Sequence, residues 1–192
     1  MAKQTVALHN LRDLPFPVVY NADSTLSKLA YLFCRALEPE TVLETGVAYG
    51  VTSATILAAL HRNGKGVLHS VGLPPIADRT SLQYIGTMIP ADYKSRWYLH
   101  LGASKRVLPG LLAKSIAQVG LFIHDSANID QVQQRELEMV WPHLASGGAM
   151  ILNNIGRKAA FKTFVNEKNL KYWIAIEQQE KKGDLTGVIL TR

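Results

Sequence analysis

The sequence predicts an α/β fold built on a doubly wound, mostly parallel sheet whose last strand is antiparallel. Three observations carry this. Short apolar runs alternate with helix-like runs from about Leu26 onward, as in strand–helix units joined by right-handed crossovers. The strand-like runs before Leu152 are continuously apolar rather than alternating, which fits strands covered by helices on both faces. The last two runs are separated only by the short polar loop 178–184. That loop is too short for a helical crossover, so these strands pair antiparallel. Seven strands with helices on both faces result.

The elements follow in order. Asp23 or Ser24 caps a helix over Ser24–Leu37, with Leu26, Leu29, Phe33 and Leu37 on one broad face. Thr41–Thr45 is the first strand, and a helix over 51–61 is closed by Gly64. The second strand, 67–71, is stopped by Gly72, Pro74 and Pro75, and residues 79–88 read as helical up to Pro90. Trp97–Leu101 is the third strand. A helix over 104–116 follows, with Pro109 and Gly110 in its middle. Val119–His124 is the fourth strand. The helix 129–144 has a possible break at Pro142, and a turn at Ser146 and Gly147 leads into the fifth strand, 148–152. A helix over 158–166 and strands over 172–177 and 186–191 complete the chain. No repeat or linker divides it, so residues 1–192 read as one domain, with 1–40 as a helical extension and 41–192 as the core.

Bulk properties exclude several classes. The chain has 192 residues, 47% of them apolar and 19% charged, an ordinary globular balance. Its one cysteine, Cys34, lies in an apolar run and permits no internal disulfide, which fits a reducing compartment. The first residues show no signal-peptide core, and no apolar run approaches the roughly 20 residues of a membrane span. A cytoplasmic location is the expectation. The formal charge of +6 comes partly from late lysines and arginines interrupted by Glu167, Glu177 and Glu180. Without a basic block interleaved with aromatics, this reads as a solvated face, with attraction to an anionic substrate, nucleic acid or lipid surface as the alternative.

The segment 41–57, TVLETGVAYGVTSATIL, is a strand, a glycine turn and a helix start in one piece. Such a turn lets the backbone approach a ligand closely and aims free N–H groups at it. The spacing Gly46-x-x-x-Gly50 is not the G-x-G-x-x-G of a dinucleotide site. Ala48 stands where that site needs its middle glycine, and Gly72 stands where the ribose acid follows the second strand. A nicotinamide dehydrogenase is disfavoured.

Glu44–Ser53 (ETGVAYGVTS), Leu101–Pro109 (LGASKRVLP), Phe122–Ser126 (FIHDS) and Trp141–Asn154 occur in the order of the motifs of class I S-adenosylmethionine-dependent methyltransferases. The chain resembles that family over roughly 41–190, and within it the small O-methyltransferases of the catechol and macrocin types. The resemblance implies a Rossmann-like seven-stranded core with an antiparallel last strand. It implies that Glu44 anchors the turn or the cofactor's ammonium, and that Gly46, Ala48, Tyr49 and Gly50 carry backbone past the methionine part. Thr52 would offer its hydroxyl to the methionine carboxylate at a helix N-terminus. Gly72, Leu73, Ser104, Asp125 and Ser126 would complete the cofactor site, Leu73 and Ser104 bordering the adenine. Beside these readings stand plainer ones: Glu44 bonding nearby backbone, Ser104 as a helix N-cap, the glycines serving strand–helix packing.

Three positions depart from the family pattern. Gly72 replaces the usual ribose acid, a loss on the order of 1–3 kcal/mol; Asp78 is a conceivable substitute. The metal set of the metal-dependent relatives maps onto Asp125, Asn153 and Asn154, oxygen donors suited to Mg²⁺ but with one charge among them. Otherwise the asparagines cap the turn after the strand. The lysine base of catechol-type relatives is replaced by Asn128, and His124 faces away from Asp125 by strand alternation. That leaves Asp125 as the catalytic proton acceptor if no metal holds it.

The resulting expectation is an S-adenosylmethionine-dependent methyltransferase, with O-methylation of a small-molecule acceptor and a possible homodimer. A methyltransferase-fold protein that binds cofactor or a partner without turnover is the alternative. An RNA methyltransferase has only the basic balance in its favour. Residues 1–22 and the loop 74–93 are expected to cover the acceptor pocket.

Overall fold

The structure is a computed structural model, and it describes residues 23–73, 79–127, 129–156 and 158–191. Asp78, Asn128, residues 1–22 and part of the loop 74–93 lie outside the described residues, and with them much of the expected acceptor cover.

The described elements are α1 (Ser24–Leu37), β1 (Thr41–Thr45), α2 (Val51–Asn63), β2 (Val67–Gly72), β3 (Trp97–Leu101), α3 (Ser104–Lys114), β4 (Val119–His124), α4 (Asp130–Val140), β5 (Leu144–Leu152), α5 (Ala160–Glu167), β6 (Trp173–Glu177) and β7 (Leu185–Leu190). The seven strands form one sheet in the order β3-β2-β1-β4-β5-β7-β6. Neighbours are parallel from β3 through β5, and β7 runs antiparallel to both β5 and β6. This is the doubly wound sheet with an antiparallel last strand that the apolar runs predict.

The strand alternation sends side chains into two cores. Leu43, Val71, Phe122, Met150 and Ile189 pack under α3, α4 and α5. Val42, Leu68, Leu121, Ile123 and Ile151 pack under α1 and α2. With both faces covered, all but one residue each of β1 and β4 are buried, which is why the sequence shows no period of two there. Cys34 is part of the second core, and burial pushes its thiol up to about 12, so it is chemically quiet.

Three local expectations need correction. Residues 79–88 do not form an α-helix: Arg79–Tyr84 is 3-10, then turns follow. The Gly86 and Met88 N–H groups are drawn instead to the Ala48 and Tyr49 carbonyls, so tertiary bonds replace helical ones. The strand β5 begins at Leu144, not at residue 148, and absorbs Ser146 and Gly147 at a register shift against β4. The helix expected to run to residue 144 gives way after Val140 to a 3-10 turn, Trp141–His143, beginning before Pro142. Pro109, by contrast, is accommodated inside α3.

At the N-terminus of α1, Asp23 is the cap and accepts from the Thr25 N–H at 2.7 Å. Its second carboxylate oxygen accepts from the Glu180 N–H at 2.9 Å, and Thr25 Oγ1 accepts from the Gln179 N–H at 3.1 Å. The β6–β7 loop is thereby tied to the start of α1. No helix among the described residues is long and apolar enough to cross a membrane.

Candidate functional site

A parallel sheet of this kind presents ligands at the carboxyl ends of its strands, where the order reverses. Here that point is β1, between β2 and β4. The chain leaves β1 through a loop in which Gly46, Ala48 and Gly50 all take left-handed conformations, with φ of 89°, 43° and 82°. Gly46 has no alternative: a Cβ on it would lie 2.1 Å from the Asp125 carbonyl oxygen. Gly50 is the N-cap of α2 and supplies no side-chain cap. The first N–H groups of that helix are therefore open to an acceptor from outside, and the helix dipole favours an anion. Thr52, in the first turn, directs its hydroxyl toward Asp125 Oδ2 at 3.4 Å.

The two residues before the loop point to opposite faces of the sheet. Glu44 is fully buried on the α2 side, and its Oε2 accepts from the hydroxyls of Ser53 (2.6 Å) and Ser70 (2.7 Å). Trp97 Nε1 in turn donates to the Ser70 hydroxyl at 2.9 Å. Burial, with the charge of Asp125 adding to it, pushes the Glu44 carboxyl up to about 8 against the two hydroxyl bonds, which favours its protonated form more than in an ordinary carboxyl. It anchors the turn from below and does not face the cleft. Thr45 points the other way and donates to Glu136 Oε2 at 2.5 Å.

Glu136, from α4, is 1% exposed and collects several partners. His124 Nδ1 lies 2.7 Å from Oε2, and the Ser126 hydroxyl donates to Oε1 at 3.0 Å. Burial works to raise its carboxyl, but the bonds from His124, Ser104 and Thr45 outweigh it and hold it below the usual carboxylate range. His124 is a structural partner of this cluster, on the face away from Asp125.

Asp125 sits at the mouth between the loop and β5. Its N–H donates to the Thr45 carbonyl at 2.8 Å, and its Oδ1 accepts from Asn153 Nδ2 at 2.8 Å. Burial pushes this carboxyl up to about 6, opposed by the Asn153 and Thr52 bonds and by His124 and Lys181 nearby. A carboxylate of this kind is ionised near neutrality yet holds a proton more readily than a free one. On the other side of the loop, Leu73 directly follows β2 and Leu101 is the last residue of β3, and they stay 59% and 51% exposed. Both are exposed apolar side chains at the carboxyl ends of two paired strands.

The structure thus brings the loop Gly46–Gly50, Thr52 and Asp125 together at the carboxyl ends of β1 and β4, with Leu73 exposed just past β2. Other expected residues are used differently. Tyr49 is buried with Met88 against Tyr84 and Ile85, beneath the loop. Ser104 is not the cap of α3, since Ala103 takes that position. Its hydroxyl, like that of Ser126, is spent on Glu136. Gly72 abuts Val47, whose Cγ2 would be 3.3 Å from an added Cβ. Asn153 and Asn154 stand beside Asp125, but their side-chain oxygens accept from Gln178 Nε2 at 2.7 and 3.2 Å. Among the described residues no group of three or more His, Cys, Asp or Glu side chains is suited to a metal.

Sequence reasoning missed Glu136, Gln178 and Leu101. Glu136 and Gln133 do carry a signal: both are polar positions among the buried residues of α4. Gln178 carries none, because it follows an edge strand and opens a polar loop.

Residues 43–155 match the family model described as a methyltransferase domain. No curated protein matches the sequence. Among solved structures, the O-methyltransferase TomG of Streptomyces achromogenes, involved in tomaymycin synthesis and solved with SAM, superposes with a TM-score of 0.71 at 17% identity, over 100% of this chain and 88% of that one. The O-methyltransferase of Bacillus cereus in complex with SAH gives 0.71 at 13% identity, over 99% and 88%. A methyltransferase from Geobacter sulfurreducens gives 0.63 at 19% identity, over 99% and 98%.

Proposed function

The chain belongs to the methyltransferase-domain family, and from that premise we propose that it transfers the methyl group of S-adenosylmethionine to a hydroxyl of a small molecule. The left-handed loop Gly46–Gly50, opening onto an uncapped helix N-terminus, is the observation that carries the proposal. It favours a ligand that brings a carboxylate to the start of α2, as the methionine half of the cofactor does. Leu73 and Leu101 would take the adenine by apolar contact, which suits a neutral ring. With Gly72 in place of an acid, the ribose is left to backbone and solvent.

When bound, the sulfonium supplies an activated methyl that needs no further activation. The chain then has two tasks: to align the acceptor oxygen and to remove its proton. Asp125 is suited to the second, being a partly buried carboxylate with raised proton affinity beside the loop. The S-adenosylmethionine- and S-adenosylhomocysteine-bound structural neighbours support the cofactor, and two of them are described as O-methyltransferases. We assign the chain one methyltransferase domain with α1 as a cap. The non-catalytic alternative has no observation in its favour.

Calorimetry with S-adenosylhomocysteine tests the reading. One-to-one binding in the micromolar range is expected, weakened by Thr52→Ala. Failure to bind at millimolar ligand would overturn it.

A further inference from the structure

The metal set of the catechol-type relatives maps onto Asp125, Asn153 and Asn154. A hard divalent cation needs oxygen lone pairs aimed at one point, preferably with several charges among them. These residues aim otherwise. Asn153 turns its Nδ2–H to Asp125 Oδ1 at 2.8 Å, so a donor, not an acceptor, faces the one carboxylate. Its Oδ1 accepts from Gln178 Nε2 at 2.7 Å and from the Asn154 N–H at 3.1 Å. Reversing the amide would set oxygen against carboxylate and nitrogen against the Gln178 nitrogen, so both neighbours lock it. Asn154 Oδ1 also accepts from Gln178 Nε2, at 3.2 Å. The donor set does not fit a magnesium ion.

Gln178 lies just past β6 and is 2% exposed. Four oxygens surround its Nε2: Asn153 Oδ1, Asn154 Oδ1, the Leu185 carbonyl at 3.4 Å and Thr186 Oγ1 at 3.4 Å. Its own Oε1 is buried and has no hydrogen-bond partner. A side chain with an oversubscribed nitrogen and an orphaned oxygen is placed for its positive end. The loop carrying it is held from behind, because the next two N–H groups, of Gln179 and Glu180, donate to Thr25 and Asp23.

We propose that the Gln178 amide stands in the place of a divalent cation, as a positioning residue that holds Asn153 and Asn154 and, through Asn153, the Asp125 carboxylate, so that this site works without metal. The proposal rests on the methyltransferase reading for its catalytic meaning, but its test is independent of that reading. Mn²⁺ is the probe, followed by calorimetry and by its paramagnetic resonance on the full chain. Wild type is expected to bind no Mn²⁺ up to about 1 mM. Asn153→Asp restores a second carboxylate but leaves Gln178 in place, and is expected to bind little better. Asn153→Asp with Gln178→Ala removes the amide as well, and is expected to bind one Mn²⁺ at least roughly tenfold more tightly than the single variant. Asn153→Asp with Gln178→Met keeps the volume and serves if the alanine form does not fold. Stoichiometric Mn²⁺ binding by wild type, or equal affinity in the single variant and a folded double variant, overturns the proposal. Failure of wild type to bind S-adenosylhomocysteine would overturn the methyltransferase reading alone and leave the Mn²⁺ comparison readable.

Discussion

The Cβ that Gly46 lacks would lie 2.1 Å from the carbonyl oxygen of Asp125 and 2.5 Å from its carbonyl carbon. The loop after β1 and the end of β4 therefore touch backbone to backbone, and the cleft edge is set by that contact. Gly46→Ala must both strain a φ of 89° and push the two strand ends apart. The expected cost is on the order of 3–5 kcal/mol, read as a fall of roughly 10 °C in Tm, with S-adenosylhomocysteine binding lost. A variant of wild-type stability would show that β4 does not constrain the loop.

Glu44 gives the protein a pH dependence opposite to that of ordinary carboxylates. Its carboxyl is raised from the usual 4.5 to about 8. The folded state therefore binds the proton more tightly than the unfolded chain, and stability falls as pH rises from about 5 to 8. Denaturant unfolding across that range checks it. Glu44→Gln keeps an acceptor for Ser53 and Ser70 and is expected to flatten the slope with little loss at pH 7. Glu44→Ala leaves those buried hydroxyls unpaired and should cost about 2–4 kcal/mol. An unchanged slope in the glutamine variant would count against a raised proton affinity at Glu44.

Leu73 and Leu101 separate binding from stability. Both are more than half exposed, so Leu73→Ser and Leu101→Ser remove little buried surface and should leave Tm within about 2 °C. Each is expected to weaken S-adenosylhomocysteine binding roughly threefold to thirtyfold, by removing apolar contact with the adenine. Unaltered affinity in both would place the adenine elsewhere.

The legible part of this molecule is what the sheet dictates. Continuous apolar runs marked β1 to β5, and the short loop after β6 disclosed the antiparallel pair. The glycine loop was legible because backbone against backbone leaves one residue type at Gly46. The segment 79–88 was not, since its N–H groups go to Ala48 and Tyr49, partners some 38 residues distant in sequence (Gly86 minus Ala48). The use of Glu44, Ser104 and Ser126 was hidden for a similar reason. Motif position says that a polar side chain stands at the cleft, not which way it turns. That depends on Ser53 and Ser70 for Glu44 and on Glu136 for Ser104 and Ser126, partners that reach these residues from other elements.

His69 and His100 predict an acid sensitivity at the sheet edge. Their rings lie within 10° of parallel with centroids 5.3 Å apart, and His69 Nδ1 is 3.0 Å from His100 Nε2. Those values describe two rings meeting edge to edge through one N–H···N bond, not a face-to-face stack. Burial lowers both imidazoles from the usual 6.5, and the charge of His100 lowers His69 further. A lowered folded value means that the folded state resists protonation. The stability this contributes is present above about pH 6.5 and is lost as pH falls through the folded values. Proton NMR titration should find both rings titrating below 6.5, and a midpoint above that value for either would refute the pairing.

Glu136 ties both walls of the cleft to one carboxylate. Thr45 immediately precedes Gly46, Ser126 immediately follows Asp125, and both donate to it while His124 pairs with it. Held below the usual carboxylate range, Glu136 contributes stability that is present above about pH 4.5 and lost as pH falls through its folded value. Glu136→Ala strands the buried Thr45 hydroxyl, the partly buried Ser126 hydroxyl and His124, and is expected to cost about 3–5 kcal/mol. Because the stranded groups flank the loop and Asp125, S-adenosylhomocysteine affinity should fall more than tenfold in protein that is still folded. Glu136→Gln keeps one acceptor oxygen and should lose roughly half as much stability. Thr45→Val and Ser126→Ala share this one partner, so their stability costs should combine non-additively. Additive costs in that double-mutant cycle would mean that the two walls are held separately.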